Sequence, residues 1–227
     1  MSAPFTPDYF WDVVSAHLSP RYDFWHIVNG PKREVWFVAE SIAALSRAST
    51  GDLKTGHRVY GEESYSSLAG KFGGDASSLD DEDRRKLPDI TVATDHASLL
   101  LAILEAKLCD DFEPGNLDAA KGNLQYQLNM ARRVFPNVPV FGVIFAVHHL
   151  CRAVSGNHTA VDPVQFFQQV SDHAEKVMDF ATYEWCHSGR VRPVLGLQGI
   201  APLGGMFKGQ ASLGIGLIQP RGQKYLS

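Results

Sequence analysis

Apolar residues recur at helical spacing in two long stretches of the chain. In residues 34–48, which lack glycine and proline, they form one face of an amphipathic helix that ends at Gly51. Residues 117–135 show a similar apolar stripe. A third helix is predicted over residues 162–185, because it opens with an aspartate N-cap followed by a proline. Residues 7–29 are rich in aromatic side chains and predict one or two short helices.

Short apolar runs predict the strands of a sheet. They are residues 89–94, 99–107 and 140–147, and a further short strand is predicted at residues 57–61, within a polar stretch. The run 99–107 is apolar on both faces, as a central strand covered on both sides is. Because a helix separates it from the run 140–147, the two strands are expected to pair in parallel through a right-handed crossover. The chain is therefore predicted to be an α/β protein, with a central mixed sheet and helices on both faces.

Two stretches lack a regular pattern. Residues 52–86 are polar and rich in glycine, and the charged run 80–86 is typical of an exposed, mobile loop. The last 38 residues are also rich in glycine and predict only short strands. Within them Gly204-Gly205 and Gly214-x-Gly216 do not match a phosphate-binding loop, so they are interpreted as turns.

Length and composition are those of one ordinary globular domain. A chain of 227 residues can bury a single core, and 44% hydrophobic with 20% charged residues is a usual balance. We expect one domain over residues 1–227, with its core at about 34–147. A helical extension over 1–33 would precede this core, and a helix with short strands over 160–227 would follow it.

Charge and cysteine content narrow the classes of function. A net charge of −4 argues against a protein that coats nucleic acid non-specifically, but an acidic protein can still carry a locally basic cleft. No apolar run is long enough to span a membrane, and the start of the chain lacks the pattern of a signal peptide. Three scattered cysteines form no disulfide framework. We expect a cytoplasmic protein with no membrane partner.

Three charged residues lie at the ends of two of the apolar runs. If residues 89–94 and 99–107 form an antiparallel hairpin centred on Ala97, Asp89 lies directly opposite Glu105. The Cβ atoms of such a pair are about 5 Å apart. Lys107 lies two residues beyond Glu105 and therefore shares its face of the sheet.

This juxtaposition suits a divalent cation. Two neighbouring carboxylates repel each other and are costly to bury, and a cation bound between them removes that cost. Oxygen ligands with few other donors suit Mg²⁺, for which Mn²⁺ can substitute, and the main-chain carbonyl of Ala106 is a further candidate ligand. A nearby lysine can orient or deprotonate a water and stabilise charge on a phosphate. The pattern indicates phosphodiester cleavage.

Pro88-Asp89, fifteen intervening residues and then Glu105-Ala106-Lys107 resemble the signature of the PD-(D/E)XK nucleases, the restriction-endonuclease-like superfamily. The predicted order of helix, three strands, helix and strand over residues 34–147 is similar to the core of that family. The resemblance implies a restriction-endonuclease-like core, with Asp89 and Glu105 as metal ligands and Lys107 as a catalytic residue.

The resemblance also implies two supporting residues. Family members often carry a further acid on the helix before the sheet, for which Glu40 and Glu34 are the candidates; Glu40 is preferred because that acid commonly lies inside the helix. Some branches use a glutamine on the helix after the lysine, and Gln127 is a better match than Gln125. The later tyrosine of some exonuclease branches is replaced by Ala131, which argues against a processive exonuclease.

Together these features predict a Mg²⁺-dependent endonuclease that hydrolyses duplex DNA, with no organic cofactor. Restriction or phage defence is the preferred biology, and a homodimer is expected because two strands must be cut. Candidate contacts to the DNA are the basic residues Arg84, Arg85, Lys86 and Arg132. A DNA repair nuclease or a nuclease toxin remains an alternative. So does a catalytically silent member of the fold that binds DNA or assembles with other proteins.

Overall fold

The computed structural model describes residues 4–19, 33–50, 56–61, 63–94, 96, 98–110, 117–118, 123–149, 162–194 and 211–225. The helices in these residues are α1 (Pro7–Leu18), α2 (Arg33–Thr50), α3 (Tyr65–Phe72), α4 (Asp81–Arg85), α5 (Leu124–Val134) and α6 (Pro163–Val177). The strands are β1 (His57–Tyr60), β2 (Ile90–Thr94), β3 (Leu100–Asp110), β4 (Val140–His149), β5 (Tyr183–Trp185), β6 (Arg192–Pro193) and β7 (Ala211–Pro220). None of these helices is long and apolar enough to cross a lipid bilayer.

One mixed sheet forms the centre of the molecule. Its strands lie in the order β1-β2-β3-β4-β7-β5, and β6 pairs with β7 as well. β3 and β4 run parallel to each other, with α5 in the connection, and the other pairs are antiparallel. The predicted α/β class with a mixed sheet is therefore confirmed.

Helices cover both faces of this sheet. On one face α1 and α2 pack against β3, β4 and β7, and Phe37 of α2 stacks on Phe145 with ring centroids 4.9 Å apart. On the other face α3, α5 and α6 bury a second apolar cluster around Ile103 and Ile144. Because side chains alternate along a strand, the odd-numbered residues of β3 from Ile103 to Cys109 lie on the face of α3 and α5.

Near the site, β2 and β3 pair in the predicted register. Ile90 pairs with Leu104 and Val92 pairs with Ala102, which sets Asp89 opposite Glu105 by continuation. A shift in the register follows Val92, towards the hairpin turn. The predicted centre of the hairpin, Ala97, lies outside the described residues.

The two helices that flank the site differ in how closely their bounds match the prediction. α2 agrees closely with the prediction over 34–48; Gly51, its predicted end, lies outside the described residues. α5 is shorter than predicted and begins at Leu124 rather than at 117, because Asn123 caps it by accepting from the backbone N–H of Tyr126. A glycine at position 122 immediately precedes this cap, and glycine disfavours helix continuation.

The expectation of an exposed, mobile loop is wrong for the charged run 80–86, and a helix that the sequence did not predict precedes it. α3 begins after the N-cap Ser64 and ends at Gly73, whose φ of 76° is the left-handed conformation that favours glycine. α4 lies inside the charged run. Its Asp83 is buried, and a hydrogen bond from Tyr126 of α5 and an ion pair with Lys86 offset the cost of that burial.

The C-terminal region differs from its prediction in two ways. α6 starts at Pro163 as expected but ends at Val177, and residues 183–185 form β5. Gly214 and Gly216 lie within the ten-residue strand β7 rather than in turns. They are needed for close packing, since a Cβ on Gly214 would lie 2.7 Å from Val191 and a Cβ on Gly216 would lie 2.8 Å from the Trp185 ring. The predicted turn Gly204-Gly205 lies outside the described residues.

Candidate active site

The candidate site lies where β3 extends past the end of β2. β2 pairs with one edge of β3 only as far as the pair Ile90–Leu104. The backbone N–H groups of Ala106 and Leu108 point to the same edge of β3, beyond the end of β2. Carboxylates take up both groups: Asp89 Oδ2 accepts from the Ala106 N–H (2.7 Å) and Glu34 Oε2 accepts from the Leu108 N–H (3.0 Å). Two acidic side chains thus continue the hydrogen-bonding ladder in place of a strand.

Glu105 is a buried carboxyl with one satisfied oxygen. Only 1% of the residue is exposed to solvent. The hydroxyl of Tyr65, on α3, donates to Glu105 Oε1 at 2.5 Å. The other oxygen, Oε2, is buried and has no hydrogen-bonding partner in the part of the chain that the structure describes. A buried acceptor without a donor is costly, so this oxygen marks the position where a proton or a cation would be stabilised.

Lys107 is held by Glu34. The lysine is 8% exposed, and its Nζ lies 3.2 Å from Glu34 Oε1. Because Glu34 also accepts from Leu108, it fixes both the lysine and the strand edge. Glu40, the preferred candidate, has another partner: its Oε2 lies 2.7 Å from His17 Nε2, on α1. Of the two candidate acids, the structure brings Glu34 to the cluster.

The electrostatics of the cluster favour uptake of positive charge. Burial raises the pKa of Glu105 well above its usual value, and the charge of Asp89 raises it further, against the hydrogen bond from Tyr65. Burial also raises the pKa of Asp89, while the Ala106 N–H and Lys107 oppose the shift. When both carboxyls are ionised neither can donate to the other, and a single proton between them would supply the donor that Glu105 Oε2 lacks. Without a cation, a shared proton relieves their repulsion.

The donor set fits a small divalent cation in part. Within the described residues, no group of three or more His, Cys, Asp or Glu side chains is arranged to hold a metal ion. Mg²⁺, however, keeps several waters and is usually bound by one or two carboxylates. Asp89 and Glu105 supply two, and the unpartnered Oε2 of Glu105 is a ready ligand. The carbonyl of Ala106 points to the same strand edge as its N–H, towards Asp89.

The two candidate glutamines have different surroundings. Gln125 Oε1 accepts from the backbone N–H of Asp179, which ties it to the end of α6. Gln127 is half-buried, and its Oε1 has no hydrogen-bonding partner among the described residues. α5 packs over the face of β3 that carries Glu105. Gln127 therefore keeps a free buried acceptor, while Gln125 has a structural partner.

The four candidate DNA contacts fall into two pairs. Arg84 donates from Nε to the carbonyl of Ala76 at 3.1 Å, and Lys86 lies 2.8 Å from Asp83, so both hold the α4 region together. Arg85 and Arg132 are exposed. All four remain predictions as DNA contacts.

Tyr65 is the residue of the cluster that the sequence analysis missed. The signal was present: Ser64 is a good N-cap, and Tyr65, Leu68, Ala69 and Phe72 recur at helical spacing before a glycine pair. The surrounding polar and glycine-rich residues hid this one short helix.

Comparisons with protein-family models, with curated proteins and with solved structures find no significant match to this chain. The functional assignment therefore rests on the geometry of the site.

Proposed function

We propose that this chain is a Mg²⁺-dependent endonuclease of the restriction-endonuclease-like superfamily that hydrolyses DNA phosphodiester bonds. One observation carries the proposal: a buried carboxylate oxygen without a donor, Glu105 Oε2, lies beside a second carboxylate, Asp89, with Lys107 two residues further along the strand. Charged groups are expensive to bury, and this set is best explained by a cation and a phosphate that offset the cost.

Asp89 and Glu105 would hold the cation, with the carbonyl of Ala106 as a third oxygen. When bound, Mg²⁺ would supply positive charge to the phosphate and lower the pKa of an attacking water. Asp89 is suited to this role because the Ala106 N–H fixes one of its oxygens. Glu105 is suited because its Oε2 is already desolvated and held in place.

Lys107 would orient the attacking water and stabilise negative charge on the phosphate. Its ion pair with Glu34 keeps the ammonium group at the strand edge, so Glu34 is the positioning residue for the lysine. The free acceptor on Gln127 would provide a further contact to the water or the substrate.

The order of the elements supports the family. α2, the antiparallel strands β1, β2 and β3, then α5 and the parallel strand β4 come in the order that the resemblance implies, with α3 and α4 inserted between β1 and β2. Duplex DNA as substrate, cleavage of both strands by a homodimer, and a role in restriction or phage defence extend the proposal by analogy of fold.

The direct test is incubation with supercoiled plasmid, linear duplex, single-stranded DNA and RNA, each with Mg²⁺ and with chelator. We expect nicking or linearisation of closed circles with Mg²⁺ alone. Asp89→Asn and Lys107→Met should abolish cleavage while the circular dichroism spectrum stays native. Lys71→Met, which breaks a comparable ion pair with Glu63 at the surface, is the matched control and should cleave normally. Full activity of Asp89→Asn, or loss of DNA only from free ends, contradicts the proposal.

A second candidate is supported by one observation. Asp89 and Glu34 each accept from the main chain of β3, so both carboxylates have a structural role that needs no metal. A catalytically silent member of the fold, serving as a DNA-binding or assembly module, would keep them for that reason. Calorimetric titration with Mn²⁺ separates the two candidates. If the wild-type protein binds no Mn²⁺ and the titration of Asp89→Asn is the same, the result favours the module.

A further inference from the structure

We propose that Tyr65 is a positioning residue that makes Glu105 a one-oxygen ligand and thereby sets which divalent cation the site accepts. The inference rests on the metal-dependent function proposed above. It concerns a residue outside the Asp89, Glu105 and Lys107 signature, on a helix inserted between β1 and β2.

Tyr65 is tied to both halves of the site. Its hydroxyl donates to Glu105 Oε1, and its backbone N–H donates to the carbonyl of Lys86 at 3.0 Å, three residues before Asp89. The side chain is fully buried. The first turn of α3 therefore connects the segment that leads into Asp89 with the carboxyl of Glu105.

The hydroxyl is what distinguishes this residue from a packing residue. A phenylalanine would fill the same space, and a buried hydroxyl is costly unless it is hydrogen-bonded. Here it is bonded to Glu105, so one oxygen of that carboxylate is committed and Oε2 remains. Asp89 is arranged in the same way, since its Oδ2 is committed to the Ala106 N–H. In each carboxylate one oxygen is thus held by a hydrogen bond, which leaves the other as the better ligand for a cation.

Cations differ in how they use such ligands. Mg²⁺ is small and octahedral, keeps several waters, and is satisfied by one or two carboxylate oxygens. Ca²⁺ takes six to eight oxygens and often binds carboxylates through both. Two single-oxygen carboxylates in a buried setting thus suit Mg²⁺ and Mn²⁺ and disfavour Ca²⁺. Loss of the Tyr65 hydroxyl would free Oε1 and allow Glu105 to rotate and bind through both oxygens.

The test is calorimetric titration of the intact protein with Mn²⁺ and with Ca²⁺, for wild type, Tyr65→Phe and Tyr126→Phe. Tyr126 is the matched control, because its hydroxyl also donates to a buried carboxylate, Asp83, outside the site. We expect Tyr65→Phe to weaken Mn²⁺ binding about tenfold or more, as the loss of a residue that orients a metal ligand usually does. It should also narrow the preference for Mn²⁺ over Ca²⁺. Tyr126→Phe should change neither quantity.

The outcomes separate this inference from the proposed nuclease. If Tyr65→Phe keeps wild-type affinity and preference while wild type still binds Mn²⁺ and cleaves DNA, Tyr65 has only a packing role and the inference is wrong. If wild type binds no Mn²⁺, both the proposed metal site and this inference are wrong. Should Tyr65→Phe not fold, the wild-type titration decides, since Ca²⁺ binding as tight as Mn²⁺ binding overturns the one-oxygen arrangement.

Discussion

Glu105→Gln replaces a buried carboxyl by an amide of the same shape. The amide oxygen can still accept from Tyr65, and the amide nitrogen can donate to Asp89, so the polar contacts of the side chain are kept. What the substitution removes is the ionisation of the side chain. It therefore isolates the electrostatic cost of Glu105 from its packing.

The sign and size of that cost follow from linkage. Burial and the Asp89 charge raise the pKa of Glu105 well above its ordinary value of 4.5, so the metal-free folded protein holds a proton that the unfolded chain releases. The resulting stability is complete below the unfolded pKa and is lost as the pH rises towards the folded pKa. Inside that window one proton changes the free energy of unfolding by about 1.4 kcal/mol per pH unit. For a chain of this length, that corresponds to a Tm change of about 3–5 °C per pH unit.

Thermal unfolding in chelator, followed by circular dichroism from about pH 5 to 8, measures this dependence. The wild-type Tm should fall with pH more steeply than that of Glu105→Gln, so the variant gains stability relative to wild type as the pH rises. Asp89 also makes the wild-type Tm fall as the pH rises, because burial raises its pKa as well. Saturating Mg²⁺ should flatten the wild-type curve, since the cation replaces the proton, and leave the variant unchanged.

Glu63→Gln is the control for this experiment. Glu63 forms a partly exposed ion pair with Lys71, a kind of contact worth at most about 1 kcal/mol. Its curve should run parallel to that of wild type. Parallel curves for Glu105→Gln and wild type would refute the reasoning, because they would mean that Glu105 titrates alike in the folded and unfolded chains.

Two further predictions concern packing and reactivity. Gly216→Ala should lower the free energy of unfolding by about 1–3 kcal/mol in urea, since its Cβ would lie 2.8 Å from the Trp185 ring; Gly70→Ala, with no atom within 4 Å, is the control and should not destabilise. In a variant with Cys151 and Cys186 replaced by serine, Cys109 should react with thiol reagents at pH 8 many times more slowly when folded than in urea, because burial raises its pKa to about 12. Equal rates would show that its thiolate forms freely in the folded protein.

The parts of the site that follow from strand alternation could be predicted from sequence. Two bounded apolar runs predict a hairpin, and taking Ala97 as its centre gives the pairing of Ile90 with Leu104 that brings Asp89 and Glu105 together. The fold class follows from the same runs, because a helix between two buried strands requires a parallel pair.

The contributions of helices to the site were harder to predict. Helical side chains tilt towards the N-terminus of their helix, so Glu34 in the first turn of α2 reaches past its end to the edge of β3. Glu40, two turns further on, meets α1 instead. This depends on where the helix begins relative to the sheet, which periodicity does not specify. β7 was missed because its glycines serve close approaches of Val191 and Trp185, which are contacts between segments distant in sequence.

The position of β7 also has a consequence for how the chain folds. β4 is an apolar strand in the middle of the sheet, and its partner β7 lies more than sixty residues away in sequence. Until β7 pairs with it, β4 has an edge with unpaired backbone hydrogen-bonding groups, on which other copies of the chain could pair. Closing so long a loop is slow compared with forming the β2–β3 hairpin. We therefore expect the late docking of β7 to limit the folding rate and to be the stage at which the protein is most prone to aggregate.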